Sequence, residues 1–381
     1  MDYELPDDIQ SIKKQTRKFV EKELKPLSQQ IEQTGVIPGE CLARLREMGY
    51  FGILIPEEYG GAGLNTLASV VIQEELGRAH GCFNLLISGN NGIGAIGILY
   101  DGTEKQKQKY LKPLAQGKMI SAFALSEPGA GSDIAAITTR AVKDGNHYII
   151  EGLKHYISRF DIADLFTVMA ITDPDKRAQG GITAFIVERG TPGLSIGRVE
   201  PTMGSDVVKI GEVIFKDCRI PLENVIGEVG YGLKTAKKVL DVGRISLAAR
   251  SLGMAMELLE LSVKYAKDRI QFGKPIGEYQ LIQGMLADMF TEITATRSLL
   301  YELAWKRDQG INIETGTAAI KLFASEMLDR TADRALQIHG AMGYMKECQV
   351  ELMYREARVM RILQGTSEIL RQSIARDLLK D

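Results

Sequence analysis

The feature that most constrains this chain is a double change of hydrophobic period. In residues 8–31, Ile9, Ile12, Thr16, Phe19, Val20, Leu24, Leu27 and Ile31 recur at three- and four-residue steps, the pattern of an amphipathic helix. From residue 121 the apolar runs become short and alternating or wholly apolar: 122–125, 138–142, 147–151, 165–171, 182–188, 194–199 and 212–215. Asp144-Gly145 between two of them is a hairpin turn. From Tyr231 the helical period returns over 233–269, 278–307 and 315–339, followed by a last pair of helices. Helices, then strands, then helices, with no β–α alternation, predicts an α+β fold and disfavours a doubly wound parallel sheet. The expected organisation is an N-terminal all-α domain over 1–120, a central β domain (barrel or sandwich) over 121–227 and a C-terminal bundle of four helices over 228–381.

Local signals refine this. A helix over 39–48 should stop at Gly49, and another should span 66–78, after a turn at Tyr59-Gly60-Gly61-Ala62-Gly63. Thr103-Glu104-Lys105-Gln106 has the form of a capping box. Lys105, Lys107, Lys109 and Lys112 read as a solvated helix face rather than a phosphate site. With 47 basic and 49 acidic residues the net charge is −2, which gives no reason to expect nucleic acid. Cys41, Cys82, Cys218 and Cys348 form no C-x-x-C pair and read as reduced thiols. The four histidines lack metal-ligand spacing, so no metal is expected. The N-terminus has no signal-peptide core and no run of about twenty apolar residues stands out, so the expectation is a cytoplasmic protein without a membrane span.

Gly92-Ile93-Gly94-Ala95-Ile96-Gly97 matches the dinucleotide fingerprint G-x-G-x-x-G, with 83–87 as its possible strand. The fingerprint also needs a second strand about twenty residues on, ending in an acidic ribose ligand. A lysine-rich helix follows instead, so the match reads as a decoy.

Five motifs in order resemble those of the acyl-CoA dehydrogenases, flavoproteins that oxidise acyl-CoA thioesters. They are Leu125-Ser126-Glu127-Pro128-Gly129-Ala130-Gly131-Ser132-Asp133, Tyr156-Ile157-Ser158, Arg269-Ile270-Gln271-Phe272-Gly273-Lys274-Pro275-Ile276, Gln337-Ile338-His339-Gly340-Ala341 and Gln364-Gly365-Thr366-Ser367-Glu368. The resemblance implies FAD as cofactor, with Phe123, Leu125 and Ser126 at the flavin ring and Ser132 between FAD and the thioester. It puts Tyr156, Ile157 and Ser158 over the flavin face. Arg269, Gln271, Phe272 and Gln280 would reach the FAD of a neighbouring subunit in a homotetramer. Gln337, Gly340 and Ala341 would meet the nucleotide end of an FAD bound to a different subunit from the one Arg269 serves, and Thr366 and Glu368 would also touch FAD. Ala341 departs from the usual glycine, and His339 reads as structural. Asp241 and Arg244 match the segment that contacts CoA. The implied electron acceptor is an electron-transfer flavoprotein or similar protein.

One departure matters most. Most short- and medium-chain members carry a glutamate base where this chain has Gln364, an amide that accepts no proton at neutral pH. The other base position of the family is Gly243. Gln364 and Gly365 keep the backbone that would polarise the thioester oxygen. A subgroup that forms cyclic dienes from cyclohex-1-ene-1-carboxyl-CoA uses an aspartate elsewhere, and 88–92 corresponds to the stretch that lines the acyl pocket. Asn91 falls where that aspartate would be, which nominates Gln364 and Asn91 as the catalytic positions, Asn91 also touching substrate. Three readings of Asn91 stand: an Asp→Asn change that disables the base, a native residue in an enzyme with another base, or a turn residue without chemical role. The first-choice activity is oxidation of this alicyclic thioester by 1,4-elimination. The alternatives are an ordinary short-chain dehydrogenase, an enoyl-CoA reductase, or a flavin- and CoA-binding protein without turnover.

Overall fold

Helix α1 (Asp7–Phe19) starts at Pro6 with Asp7 and Asp8 in its first turn and ends with Arg17 and Lys18. These charges complement the helix dipole. The helix expected over 8–31 does not continue unbroken. Val20–Leu24 is a π turn, Lys25–Leu27 a 3-10 turn, and α2 (Ser28–Thr34) follows. Pro26 is the reason, since it has no N–H to donate back along the helix and its ring crowds the preceding turn. The stripe is still used: Ile9, Phe19, Val20, Leu24 and Ile31 are all buried.

The computed structural model describes residues 5–380. After α2 come α3 (Gly39–Glu47), α4 (Thr66–Leu76), α5 (Cys82–Ser88), α6 (Ile96–Asp101) and α7 (Glu104–Ala115). The strands are β1 (Ser121–Ala124), β2 (Arg140–Asp144), β3 (His147–Ser158), β4 (Leu165–Ile171), β5 (Ile182–Glu188), β6 (Leu194–Glu200), β7 (Ile210–Pro221) and β8 (Val225–Ile226). The chain then forms α8 (Gly232–Asp268), the small ribbon β9 (Ile270–Gln271) and β10 (Lys274–Pro275), α9 (Gln280–Asp308), α10 (Glu314–His339), α11 (Gln349–Arg358) and α12 (Ser367–Leu378). The α+β class and the helical–β–helical order agree with the sequence.

Two units pack internally. One comprises Pro38–Leu64 and Leu85–Gly243. Its sheet runs β6-β7-β3-β2-β4-β5-β8, with β1 added parallel to β4. The Asp144-Gly145 hairpin forms, with Asp144 opposite His147. Every residue of β4 is buried because both faces are covered. Phe166, Val168 and Ala170 join Phe185, Val213 and Phe215 on one side, while Leu165, Met169 and Ile171 pack with Ile98, Tyr110, Leu111 and Leu114 on the other. The capping box is present, with Gln106 N donating to Thr103 Oγ1 and Thr103 N to Gln106 Oε1. The exposed lysines of α7 make surface ion pairs, Lys105 with Glu223 and Lys109 with Glu188.

The other unit comprises Met1–Ile37, Asn65–Asn84 and Arg244–Asp381. Here α10 lies among α9, α11 and α12, and α4 packs on both α1 and α9. Compactness thus divides the N-terminal helices, α1, α2 and α4 going with the C-terminal bundle and α3, α6 and α7 with the strands.

One sequence reading, that the glycine fingerprint is a decoy, is borne out, and another changes. Residues 83–87 are helix, so the glycine fingerprint has no preceding strand. One run, Cys82–Asp101, is apolar and long enough to cross a membrane by length and composition, contrary to expectation, but 78% of it is buried in the protein. It is also not a continuous helix, because Gly92 departs to φ −148, ψ −114.

Candidate flavin and thioester site

In the unit that holds the sheet, β1 delivers Leu125 and Ser126 to a tight turn in which Glu127 and Ala130 exchange backbone hydrogen bonds of 2.9 and 3.1 Å. Glu127, 4% exposed, anchors the turn. Its Oε2 accepts from Thr138 N (2.6 Å) and Oγ1 (2.7 Å), and its Oε1 from Thr139 N (3.0 Å) and Lys154 Nζ (2.8 Å). Burial raises this carboxyl, but the Lys154 charge and these donors outweigh it and hold Glu127 down to about 2. Lys154 also donates to Leu125 O (3.0 Å), and His155 N donates to Ser126 O (2.9 Å). Burial pushes Lys154 down to about 8 against the pull of Glu127, so the pair remains ionised at neutral pH. Strand β3 therefore fixes both carbonyls of the loop. Gly129 and Gly131 have open space where a side chain would stand, and Ser132 is exposed.

Strand β3 carries a bulge between Lys154 and Ile157. Tyr156 sits in it at φ +60, 62% exposed, its ring stacked 3.9 Å from that of His155. A bulky residue in the left-handed region is strained, and bulges commonly re-aim one side chain. Ile157 is buried, and Ser158 and Phe123 are half-buried. Asp241, Gly243 and Arg244 lie within one turn of α8.

The helical unit holds the remaining candidates. Gln364 has φ +56 and Gly365 φ +97, so the chain makes a left-handed corner before α12. Thr366 caps that helix, its Oγ1 accepting from Ile369 N, with Glu368 in the first turn. Lys321, wholly buried, donates from Nζ to Gly365 O at 2.7 Å, and Arg244 Nε reaches Gln364 O at 3.5 Å. Burial, with Arg244 nearby, pushes the Lys321 amine down to about 8. The Gln364 side-chain oxygen is buried and has no hydrogen-bond partner among the described residues. The backbone of this corner is thus held firmly while its side-chain carbonyl is uncommitted.

A cavity of about 380 Å³ in the same unit is lined by Arg269, Gln271, Ile338, His339, Gly340 and Ala341, with Tyr265, Ile276 and Met342. It brings together two motifs some seventy residues apart in sequence. Gly340 takes φ +56, which gives the chain a close turn at its wall. Arg269 is exposed and has no ion-pair partner among the described residues, which suits a phosphate. His339 is buried, stacks on Tyr265 and donates from Nδ1 to Ala335 O at 2.8 Å. Burial lowers its pKa, so it is a neutral structural residue. Gln280 and Gln337 are exposed on α9 and α10, and Phe272, at φ +50, is 95% exposed.

Asn91 is a correction. It is 1% exposed and its amide is fully committed to backbone. Its Oδ1 accepts from Ile53 N (2.7 Å), and its Nδ2 donates to Tyr50 O (2.6 Å) and Ile87 O (3.1 Å). A carboxylate there would face two carbonyl oxygens with no proton to offer. These bonds give Asn91 a structural role and offer no support for a base or a substrate contact at 91.

Sequence reasoning missed Lys154, Lys321 and Arg159. Two had a signal: Lys154 is in phase with the inward residues Tyr148 and Ile150, and Lys321 lies on the buried stripe of Thr317, Ala324 and Leu328. A lysine on an apolar face requires a partner. It also missed that His155, Glu200 and Glu212 place ligand-type atoms within 4.8 Å of one another. Arg198 already engages that group, with Nε on Glu200 Oε1 at 2.8 Å and N on Glu212 Oε2 at 3.1 Å.

Comparison with known proteins bears on the whole chain. Family models for the acyl-CoA dehydrogenase N-terminal, middle and C-terminal domains match residues 6–118, 122–218 and 230–379. The chain is 41% identical to a 3-(aryl)acrylate reductase of Clostridium sporogenes, covering 97% of this chain and 98% of that protein. It is 40% identical to the caffeyl-CoA reductase-Etf complex subunit CarC of Acetobacterium woodii, over 97% of both. Its backbone matches the solved butyryl-CoA dehydrogenase of Megasphaera elsdenii with a TM-score of 0.95, at 37% identity and covering all of both chains. Matched from one end to the other in sequence and in backbone, this chain belongs to the acyl-CoA dehydrogenase family of oxidoreductases.

Proposed function

We propose that this chain is an FAD-dependent oxidoreductase acting on an acyl-CoA thioester, in which the corner at 364 serves as an oxyanion site rather than as a base. The observation that carries this reading is the Gln364-Gly365 corner, held by Lys321 and Arg244 at its two carbonyls while no carboxylate stands at 364 or 243. A backbone N–H fixed by its surroundings stabilises charge on a thioester oxygen without reorganising at the moment of reaction.

FAD is the cofactor of this family, and when bound it accepts or supplies the hydride exchanged at the substrate's β-carbon. The residues present fit it. Leu125 and Ser126 offer a loop pinned by Lys154, Glu127 and His155, with open space at Gly129 and Gly131. Tyr156, Ile157 and Ser158 would stand over the ring. Arg269, Gln271, Phe272, Gln280, Gln337, Gly340 and Ala341 would hold the nucleotide end, with Thr366 and Glu368 contributing. Asp241, Arg244, Ser132 and Gly365 would orient the CoA thioester.

The alicyclic substrate expected from the sequence rested on a base at 91. With Asn91 committed to backbone, cyclohex-1-ene-1-carboxyl-CoA is one member of a substrate panel rather than its head. Domain limits of 1–120, 121–227 and 228–381 follow the change of hydrophobic period. The electron partner we propose is an electron-transfer flavoprotein, a reading supported by the relative that works in an Etf complex. A homo-oligomer, a tetramer by family resemblance, is supported by the exposed apolar residues Phe272, Leu281 and Phe290.

The test is anaerobic mixing of the purified protein with saturated, unsaturated and alicyclic acyl-CoAs, in the oxidised and reduced states. The yellow flavin should bleach with one class, or the reduced flavin reoxidise with its enoyl counterpart. A protein that cannot be loaded with FAD, or that exchanges electrons with no thioester, sinks the proposal. Light scattering that reports an FAD-loaded monomer sinks the oligomer.

A further inference from the structure

Consecutive residues of a regular strand point to opposite faces, so their side chains do not meet. His155 and Tyr156 depart from this. Their rings stack 3.9 Å apart, with 14° between the planes. The stack exists because Tyr156 sits at φ +60 in the bulge of β3, which brings the two side chains together. That backbone conformation costs free energy in a bulky residue and persists only where the surroundings over-determine it.

Here the surroundings form a brace across three strands. β7 lies between β3 and β6, and both neighbours lose register opposite Gly211–Val213. On one side the bulge falls between Lys154 and Ile157, on the other between Ile196 and Val199. Across β7, His155 Nε2 meets Glu200 Oε1 at 2.9 Å, and Arg198 Nε donates to the same oxygen at 2.8 Å. The hydrogen bonds from His155 and Arg198 hold Glu200 below the usual carboxylate range, so the carboxylate accepts and Nε2 donates. Glu212 Oε2 accepts from Arg198 N at 3.1 Å, which ties down the bulge of β6 in turn. His155 is 7% exposed, and its Nδ1 is buried with no partner among the described residues. A proton relay would need a partner at each nitrogen. This ring is used through one nitrogen and one face. The same residue reaches the glycine-rich loop, since His155 N donates to Ser126 O at 2.9 Å. Ser126 and Tyr156, far apart in sequence, are neighbours through it.

We infer that His155 is a positioning residue for the flavin, holding the Tyr156 ring as a fixed cover in register with the Ser126 loop. This rests on the reading of Ser126 and Tyr156 as flavin contacts. In this role His155 acts through Tyr156 rather than by touching the cofactor.

The test uses the FAD-loaded protein, freed of unbound flavin. A tyrosine ring held flat on a flavin quenches its fluorescence, so emission per bound FAD reports the cover, and FAD affinity is measured alongside. His155→Ala keeps the backbone bond to Ser126 and so tests the ring alone. It should raise the emission and weaken FAD binding by about two- to tenfold, the worth of one aromatic pair. His155→Phe, which keeps a stacking face without the Glu200 bond, should recover most of the quenching. Tyr156→Ala should raise the emission as well, and adding His155→Ala to it should change nothing further. Additive effects in the double variant, or unchanged emission and affinity in His155→Ala, overturn the inference and leave Tyr156 as a flavin contact. A Tyr156→Ala that moves neither emission nor affinity sinks the reading beneath it as well. If His155→Ala does not fold, Glu200→Ala decides. It releases the imidazole from its brace and should raise the emission partway, and unchanged emission overturns the inference.

Discussion

Asn91 and Gln364 carry the same functional group in opposite conditions. The Asn91 amide spends its oxygen and both its hydrogens on three backbone groups from two segments of chain. The Gln364 amide has a buried oxygen with no partner among the described residues, on a backbone at φ +56 that its neighbours hold in place. A saturated polar group contributes to stability, because its partners would otherwise be buried unpaired. An unsaturated one on a strained backbone costs stability and is retained where a ligand or reaction needs it. Both positions looked like lost carboxylates in the sequence. Only their hydrogen bonds separate a structural residue from a functional one.

The largest expected effect would break this contrast at Asn91. Asn91→Asp sets a carboxylate against Tyr50 O and Ile87 O, and should destabilise the fold by about 3–5 kcal/mol, the scale of an uncompensated buried charge. Urea unfolding measures it. A loss below about 1 kcal/mol, the worth of one ordinary hydrogen bond, would mean that the amide is not the tie it looks to be.

Next is Gln364→Glu, which places a base where the uncommitted oxygen now lies. Flavin reduction by a linear saturated acyl-CoA should rise by about a hundredfold or more, the lower range for a general base. Unchanged rates in anaerobic stopped flow, with FAD content intact, would show that residue 364 does not face the α-carbon.

A smaller effect tests what holds the corner. Lys321 is depressed to about 8 in the fold and returns to its ordinary range near 10.5 when unfolded. Between these values the unfolded chain binds more protons, so this group makes stability rise with pH across the window from 8 to 10.5. Its contribution is level below the window and above it. Lys321→Met should remove that rise from the pH dependence of unfolding and loosen Gly365. An unchanged slope would mean that the amine is not buried as charged.

The smallest effect sharpens the contrast most. Gln364→Met removes an unpartnered oxygen at similar volume, so stability should stay within about 0.5 kcal/mol, as replacing an unsatisfied polar group by an apolar one is nearly neutral. Asn91→Met should fall by several times more. Equal losses at the two sites, read from matched urea curves, would refute the distinction.

Much of the site was legible in the sequence because its motifs are local. Arg269 and Gln271 meet Gly340 and Ala341 around one cavity, although the resemblance assigned Arg269 and Gln337 to FADs bound to different subunits. The strands at 165–171 and 182–188 have the limits their apolar runs indicate. What was not legible depends on partners distant in sequence. Glu127 looked like one letter of a glycine-rich loop, yet it binds Thr138, Thr139 and Lys154. Arg159 gave no signal, because a lone arginine after a strand is usually solvated.

The sequence by itself determined the α+β class, the order of elements, the family and the absence of a carboxylate at 364 and 243. Periodicity, turn chemistry and residue identity are properties of neighbouring residues, so they survive without coordinates. Tertiary structure alone decided that Asn91 is saturated, that the Gln364 oxygen is not, and that Arg159 is a buried cation with no counter-charge among the described residues. Each of these depends on which backbone groups lie within about 3 Å, the reach of a hydrogen bond. That reach is set by how segments far apart along the chain come to pack.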